Sequence, residues 1–238
     1  MIDLSTLAGA HGAVWDWLIR LGKERPEGWT LIGAQMVIAL GLEHERTYSR
    51  ITADADLLAD VRVLAQGVAE LANHLVEKGF ELEGVNAEGI GHRFRHDELA
   101  FDLLGPDTVR NKQKLVTVPP ARTVCVPGGN QALARNRRVD VQSPNERGLV
   151  PIPDLLGAIL VKARAVEVDD VPEAQLGDLA FLLSLVPDPR AFAEQLRRTE
   201  RGWLRRRVEL HDDAHRAWRR LEREDGENGM LALRILSG

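Results

Sequence analysis

Apolar positions change their period several times along this chain, and each change marks an element. Ala13-Val-Trp-Asp-Trp-Leu-Ile-Arg20 carries apolar residues at helical spacing, so an amphipathic helix precedes the main fold. Trp29 to Ile32 is a short apolar run that reads as a strand. Gly33 then marks a turn, and the apolar stretch after it reads as a helix ended by Gly41. From Leu57 to Gly79, Val61, Leu64, Val68, Leu71 and Leu75 recur at helical spacing, closed by Gly79. Phe80 to Glu83 starts a strand, and Phe94 with Leu99 to Leu104 predicts a hairpin around the polar turn His96 to Glu98. Leu115 to Val141 is β-rich, with a Pro127-Gly-Gly turn inside it. Pro144 to Pro153 reads as a linker or exposed loop from its Pro and Gly breakers. Beyond it the spacing is helical: Asp154 caps a helix over Leu155 to Val166, and Pro187-Asp-Pro separates later helices.

Within this pattern, Arg50-Ile-Thr-Ala-Asp-Ala-Asp56-Leu-Leu sets two carboxylates one residue apart in an apolar run. In a strand, residues i and i+2 share a face, so Asp54 and Asp56 point the same way. Adjacent acids repel, and burying them is costly unless a cation lies between them. A divalent ion removes the conflict, and Mg²⁺ is usually held by one or two carboxylates plus substrate phosphates. The spacing alone is weak, because D-x-D also arises by chance in surface loops. Upstream, the Gly33-Ala34 turn at a helix start would present N–H groups to an anion, which suits a triphosphate. Asp102 breaks the apolar run Leu99 to Leu104, either capping a loop or completing a metal cluster. Lys162 lies among apolar helix neighbours and either snorkels to solvent or reaches a phosphate. Asp178 opens another apolar helix, where helix capping is the competing account.

In this order the residues resemble the nucleotidyltransferase fold, whose members carry a Gly-Gly or Gly-Ser turn followed by an Asp-x-Asp strand. Arg-x-Thr-x-Asp-x-Asp over Arg50 to Asp56 looks most like the AbiEii/MenT-type toxin nucleotidyltransferases and their actinobacterial relatives. The resemblance implies an α+β fold. A nucleotidyltransferase-like mixed β-sheet flanked by helices would occupy residues 1–148, and a helical C-terminal part residues 149–238. It implies Mg²⁺, or Mn²⁺ in its place, on Asp54, Asp56 and Asp102, and catalysis by these acids with Lys162. Gly33, Ala34, Arg50, Thr52, Lys162 and Asp178 would bind the nucleotide. The implied reaction moves a nucleotidyl group from an NTP to an acceptor hydroxyl and releases pyrophosphate. In the toxins the acceptor is a tRNA 3′ end, and an antitoxin protein is the usual partner; protein and small-molecule acceptors stay open. Ala34 departs from the pattern, which has Gly or Ser there, so a Ser hydroxyl contact is lost. The alternative is therefore a catalytically inactive nucleotide- or RNA-binding module on the same fold.

Composition narrows the picture further. With 238 residues the chain can bury a substantial core, and its net charge of -5 offers no global basic footprint for nucleic acid. Arginines do cluster between Arg197 and Arg220, a patch that could grip RNA phosphates. Glu200, Glu209, Asp212 and Asp213 interleave with them, so a solvated helix face is favoured, with Trp203 and Trp218 as packing residues. Cys125, the sole cysteine, rules out an intramolecular disulfide and a Cys-rich zinc site. His92/His96 and His211/His215 have H-x-x-x-H spacing without the zinc-protease Glu. The first pair falls in the hairpin, too extended for one metal, and the second is better explained by a solvated face. Gly128-Gly-Asn-Gln-Ala-Leu lacks the spacing and Lys of a phosphate loop and reads as a turn. No stretch reaches bilayer-spanning length and no signal peptide is evident, so the expectation is a cytoplasmic protein with no membrane partner.

Overall fold

The computed structural model describes residues 1–48, 52–64 and 66–238. A short strand β1 (Ile2–Asp3) precedes α1 (Gly9–Glu24), the expected amphipathic helix, whose Val14, Trp15, Leu18 and Ile19 are fully buried. β2 (Trp29–Ile32) leads directly into α2 (Gly33–Glu43). Gly41 does not end α2. It lets Phe181 approach, since a Cβ there would lie 2.8 Å from Phe181 Cζ and 2.9 Å from Arg46 O.

β3 (Asp54–Ala59), α3 (Gly67–Glu77), β4 (Glu81–Leu82), β5 (Arg93–His96) and β6 (Leu99–Pro106) follow. The helical spacing expected from Leu57 begins only at Gly67, because Leu57 to Ala59 belong to β3. Pairing between two other strands overrides local periodicity there. β3 lies between β2, to which it is antiparallel, and β6, to which it is parallel, giving a mixed sheet ordered β2-β3-β6-β5-β4. β7 (Cys125–Val126) pairs with the end of β6 beyond β3. One sheet face packs on an aromatic cluster: Trp17 and Phe101 have ring centroids 4.5 Å apart, and Trp17 and Phe80 5.1 Å. Burial of each such side chain contributes about 1.5–3 kcal/mol, which anchors β6 and thereby its opposite face.

A second, three-stranded sheet joins β1, β8 (Asn136–Gln142) and β9 (Arg147–Pro153). β9 replaces the linker expected over Pro144 to Pro153, with Val150 and Ile152 fully buried. It is an edge strand, and Pro151 and Pro153 stand two apart, so both missing N–H groups fall on the side away from β8. Between the sheets, the expected turn is present at Pro127-Gly128, with Gly128 at φ +82°, and it leads directly into a helix that was not expected, α4 (Gly129–Ala134). Asp107 holds its start, accepting from Gly128 N at 3.0 Å and Asn130 Nδ2 at 2.9 Å.

The remaining elements are α5 (Leu155–Ala165), α6 (Pro172–Ser184), α7 (Pro189–Glu194), α8 (Arg198–Arg205), α9 (Arg216–Arg219) and α10 (Arg223–Ser237). Asp154 caps α5 as expected, accepting from Gly157 N at 2.7 Å. Asp178 does not open a helix. α6 starts at Pro172, whose preset φ suits the first helical position, and Glu173-Ala-Gln then carries the helix onward to Asp178. The fold is thus α+β, with a mixed sheet flanked by helices. β9 crosses residue 148, and one buried apolar cluster extends from Ile2 to Leu236. Among the described residues no helix is long and apolar enough to cross a membrane.

Candidate acid site and adjoining cavity

Strand pairing brings the acids together. Asp56 stands opposite Ile32 on one side and opposite Asp102 on the other, at the roughly 4.8 Å spacing of neighbouring strands. Asp54 shares the face of Asp56, and the parallel register adds Asp102 to it. Arg93 on β5 stands opposite Asp102 and so joins the same face. Its guanidinium donates from Nη2 to Asp54 Oδ2 at 2.5 Å, lies 3.7 Å from Asp102 Oδ2, and sets Nε 3.2 Å from Glu83 Oε2.

Expected as a metal cluster, the three acids share one face of adjacent strands but do not close on a common point. Among the described residues no three His, Cys, Asp or Glu side chains form a ready-made metal set. Arg93, seated against Asp54 and Asp102, supplies the positive charge that lets these acids stand together. Its neutralisation is incomplete. Burial, aided by the Asp54 and Glu83 carboxylates, pushes the Asp102 carboxyl above its ordinary value despite Arg93. Asp102 Oδ1 is buried without a hydrogen-bond partner among the described residues. A hard oxygen donor left unsatisfied beside two further carboxylates fits a divalent cation. His92, next to Arg93, is held below its ordinary value by burial and by Arg93, with Asp56 opposing, so its imidazole is neutral near pH 7.

Gly33 meets the acids from the other side. Its φ is +72°, and a Cβ there would lie 1.6 Å from Asp56 Oδ2. The Asp56 carboxylate therefore lies over the amino end of α2, where unpaired N–H groups and the helix dipole favour negative charge. Ala34 is buried in the first turn of α2. Thr52 shapes the entry to β3: its Oγ1 accepts from Asp54 N at 3.1 Å and its carbonyl from Gln35 Nε2 at 2.6 Å. Arg50 lies outside the described residues. Gly33→Ala is expected to cost at least about 1–3 kcal/mol from backbone strain alone and to displace Asp56. Calorimetry checks this; a melting temperature equal to wild type would mean the turn tolerates a side chain.

Lys162 neither snorkels nor stands free. Its ammonium lies 2.7 Å from Asp178 Oδ2 and donates to Gln175 Oε1 at 2.8 Å, with side-chain exposures of 4% for Lys162 and 0% for Asp178. Tyr48 Oη donates to Asp178 Oδ1 at 2.7 Å, and Gln175 Nε2 donates to Asp169 at 2.6 Å. This network borders a cavity of about 200 Å³ that Gly33, Asp56, Cys125, Val161, Lys162 and Gln175 help line. The cavity lies in the seam between the first sheet and the α5–α6 pair, the kind of place ligands prefer. Its size suits part of a nucleotide, since whole-ligand sites start near roughly 300 Å³. A larger hollow of about 850 Å³, edged by Tyr48, Phe181 and Arg220, carries no comparable acid pair on a sheet among the described residues.

Several of the other candidate groups have partners within the chain. Arg206 and Arg207 pair with Glu167, Arg216 with Glu173, and Arg205 donates to the Ser237 carbonyl. The acids expected as their partners do other work: Glu200 accepts from Arg197 N at the start of α8, and Asp213 pairs with Arg234. Trp218 is buried with Nε1 donating to Leu210 O, and Trp203 lies under the Arg164 guanidinium. His96 packs on Phe80 and bonds the Gly79 carbonyl, away from His92.

Arg93 and Glu83 carry no signal in the sequence that marks them as site residues. Arg93 lies on a strand flanking a polar turn and Glu83 just after β4, places where charges are usually solvated, and only the strand pairing sets Arg93 against the acids and Glu83 against Arg93. No protein-family model matches this chain, and no curated protein aligns with it significantly.

Proposed function

We propose that this chain is a divalent-metal-dependent nucleotidyltransferase, moving a nucleotidyl group from an NTP to an acceptor hydroxyl and releasing pyrophosphate. One observation carries it: Asp54, Asp56 and Asp102 share a face of adjacent strands beside the amino end of α2 and an adjoining cavity. Asp54, Asp56 and Asp102 would hold Mg²⁺, or Mn²⁺ in its place, and the ion would supply positive charge to the triphosphate and its leaving group. Asp102, opposite Asp56 on the same face, would help activate the acceptor hydroxyl from its place at the ion. The α2 amino end offers N–H groups to phosphate oxygens. Lys162 spends two of its three donors on Asp178 and Gln175, leaving the third for a ligand in the cavity. The proposed acceptor is an RNA 3′ hydroxyl, such as a tRNA end, with an antitoxin protein as partner. Sequence resemblance supports that choice.

A second function, nucleotide or RNA binding without catalysis, is favoured by Arg93, which holds the place of a cation between Asp54 and Asp102. Two measurements separate them. Labelled NTPs, Mg²⁺ and total RNA should yield labelled RNA with the wild-type chain and none with Asp54→Asn. Cys125, exposed and at the cavity, should react more slowly with a thiol reagent when NTP is present. Slowed labelling without transfer supports the binding module; unchanged labelling places the nucleotide elsewhere.

A further inference from the structure

We infer that Arg93 is a built-in counter-cation of the acid site, which a divalent ion must displace onto Glu83. The inference rests on reading that site as metal-dependent. One guanidinium faces Asp54 at 2.5 Å, Asp102 at 3.7 Å and Glu83 at 3.2 Å. Two of these carboxylates stand where the ion would bind, and the third lies outside that set. A guanidinium stays protonated throughout the working pH range, so Arg93 cannot yield by losing a proton. It can yield only by moving, since a dication and a guanidinium on the same two carboxylates repel.

The structure provides a place to go. Glu83 already touches Arg93 Nε, and its N–H donates to the Arg93 carbonyl at 2.8 Å, which ties β4's extension to β5 whichever way the side chain turns. Arg93 and Asp54 side chains are 33% and 48% exposed, so the swing opens no core. Arg95 also pairs with Glu83, at 2.8 Å, and among the described residues it forms no ion pair with Asp54 or Asp102, its charge reaching Asp102 only as the weakest of the influences there. It is therefore a matched control. The device keeps the acids paired while the ion is away and makes ion binding weaker than three bare carboxylates would give.

The test is Mn²⁺ binding followed by the electron paramagnetic resonance of free Mn²⁺, without nucleotide. Arg93→Gln should bind Mn²⁺ at least about tenfold more tightly than wild type, because a competing unit charge a few ångströms away is gone. Arg95→Gln should stay within about twofold, as expected for an exposed pair. Arg93→Lys, which keeps the charge, should remain near wild type. Equal affinity in wild type and Arg93→Gln overturns the inference, and so does an equal gain in Arg95→Gln. Should Arg93→Gln fail to fold, the Arg93 Nε–Hε signal of the wild-type chain, assigned by its loss in Arg93→Lys, decides. It should shift as diamagnetic Mg²⁺ saturates the site, and a signal that stays put overturns the inference. Tighter Mn²⁺ binding in Arg93→Gln without any RNA labelling by wild type would uphold the counter-cation and sink the transferase. RNA labelling with equal Mn²⁺ affinities would do the reverse.

Discussion

Asp56→Asn is expected to lower nucleotidyl transfer by at least about a thousandfold, because electrostatic groups aimed at the reacting phosphates carry most of such a barrier. Asp56 is the central acid: it stands opposite Asp102, shares its strand face with Asp54, and lies over Gly33. The substitution keeps shape and removes charge, so the fold should survive. Its companion variant, Asp102→Asn, gives the clearer stability test. Burial holds the Asp102 carboxyl above its ordinary value, so its contribution to stability is full below the unfolded value and declines as pH rises through the folded one. At neutral pH without metal, Asp102→Asn should therefore melt level with wild type or higher. A clear fall in melting temperature for both variants would show that these acids serve the fold and not a metal.

Lys162→Met should cost about 3–5 kcal/mol, the usual result of leaving one charge of a buried pair without its partner. Asp178, fully buried in α6, would keep Tyr48 but lose the ammonium. Total stabilities of about 5–15 kcal/mol make this a large fraction of the whole. The double variant Lys162→Met/Asp178→Leu should recover much of the loss, since it buries no isolated charge. Urea denaturation of both variants measures this. A single-variant loss within about 0.5 kcal/mol, as at an ordinary surface position, would remove the pair from the account of stability. Any loss of transfer in Lys162→Met has to be read at a temperature where the variant is folded, because the residue supports the wall of the cavity as well as facing into it.

Much of the acid site was legible in the chain itself. A two-residue period put Asp54 and Asp56 on one face, and a charge inside an apolar run singled out Asp102. Gly33 before an apolar helix was readable as a turn, but the carboxylate pressed against it was not. Lys162 among apolar neighbours admitted a snorkel or a ligand. Its pairing with Asp178 depends on how α5 packs on α6, thirteen positions farther along for Gln175 alone. β9 was hidden because Pro151 and Pro153 break a central strand but not an edge one, and edge status belongs to the sheet.

By itself, then, the sequence determined what local period and side-chain chemistry can encode: α1, β2, α2, the β5–β6 hairpin, the Asp154 cap and the shared face of Asp54 and Asp56. Tertiary structure decided which strands become neighbours and in what register. That choice placed Arg93 and Glu83 against the acids and Asp178 against Lys162. Register is a long-range property, set by which faces can be buried together, and a slip of one residue would turn Asp102 into the aromatic core and Phe101 out of it.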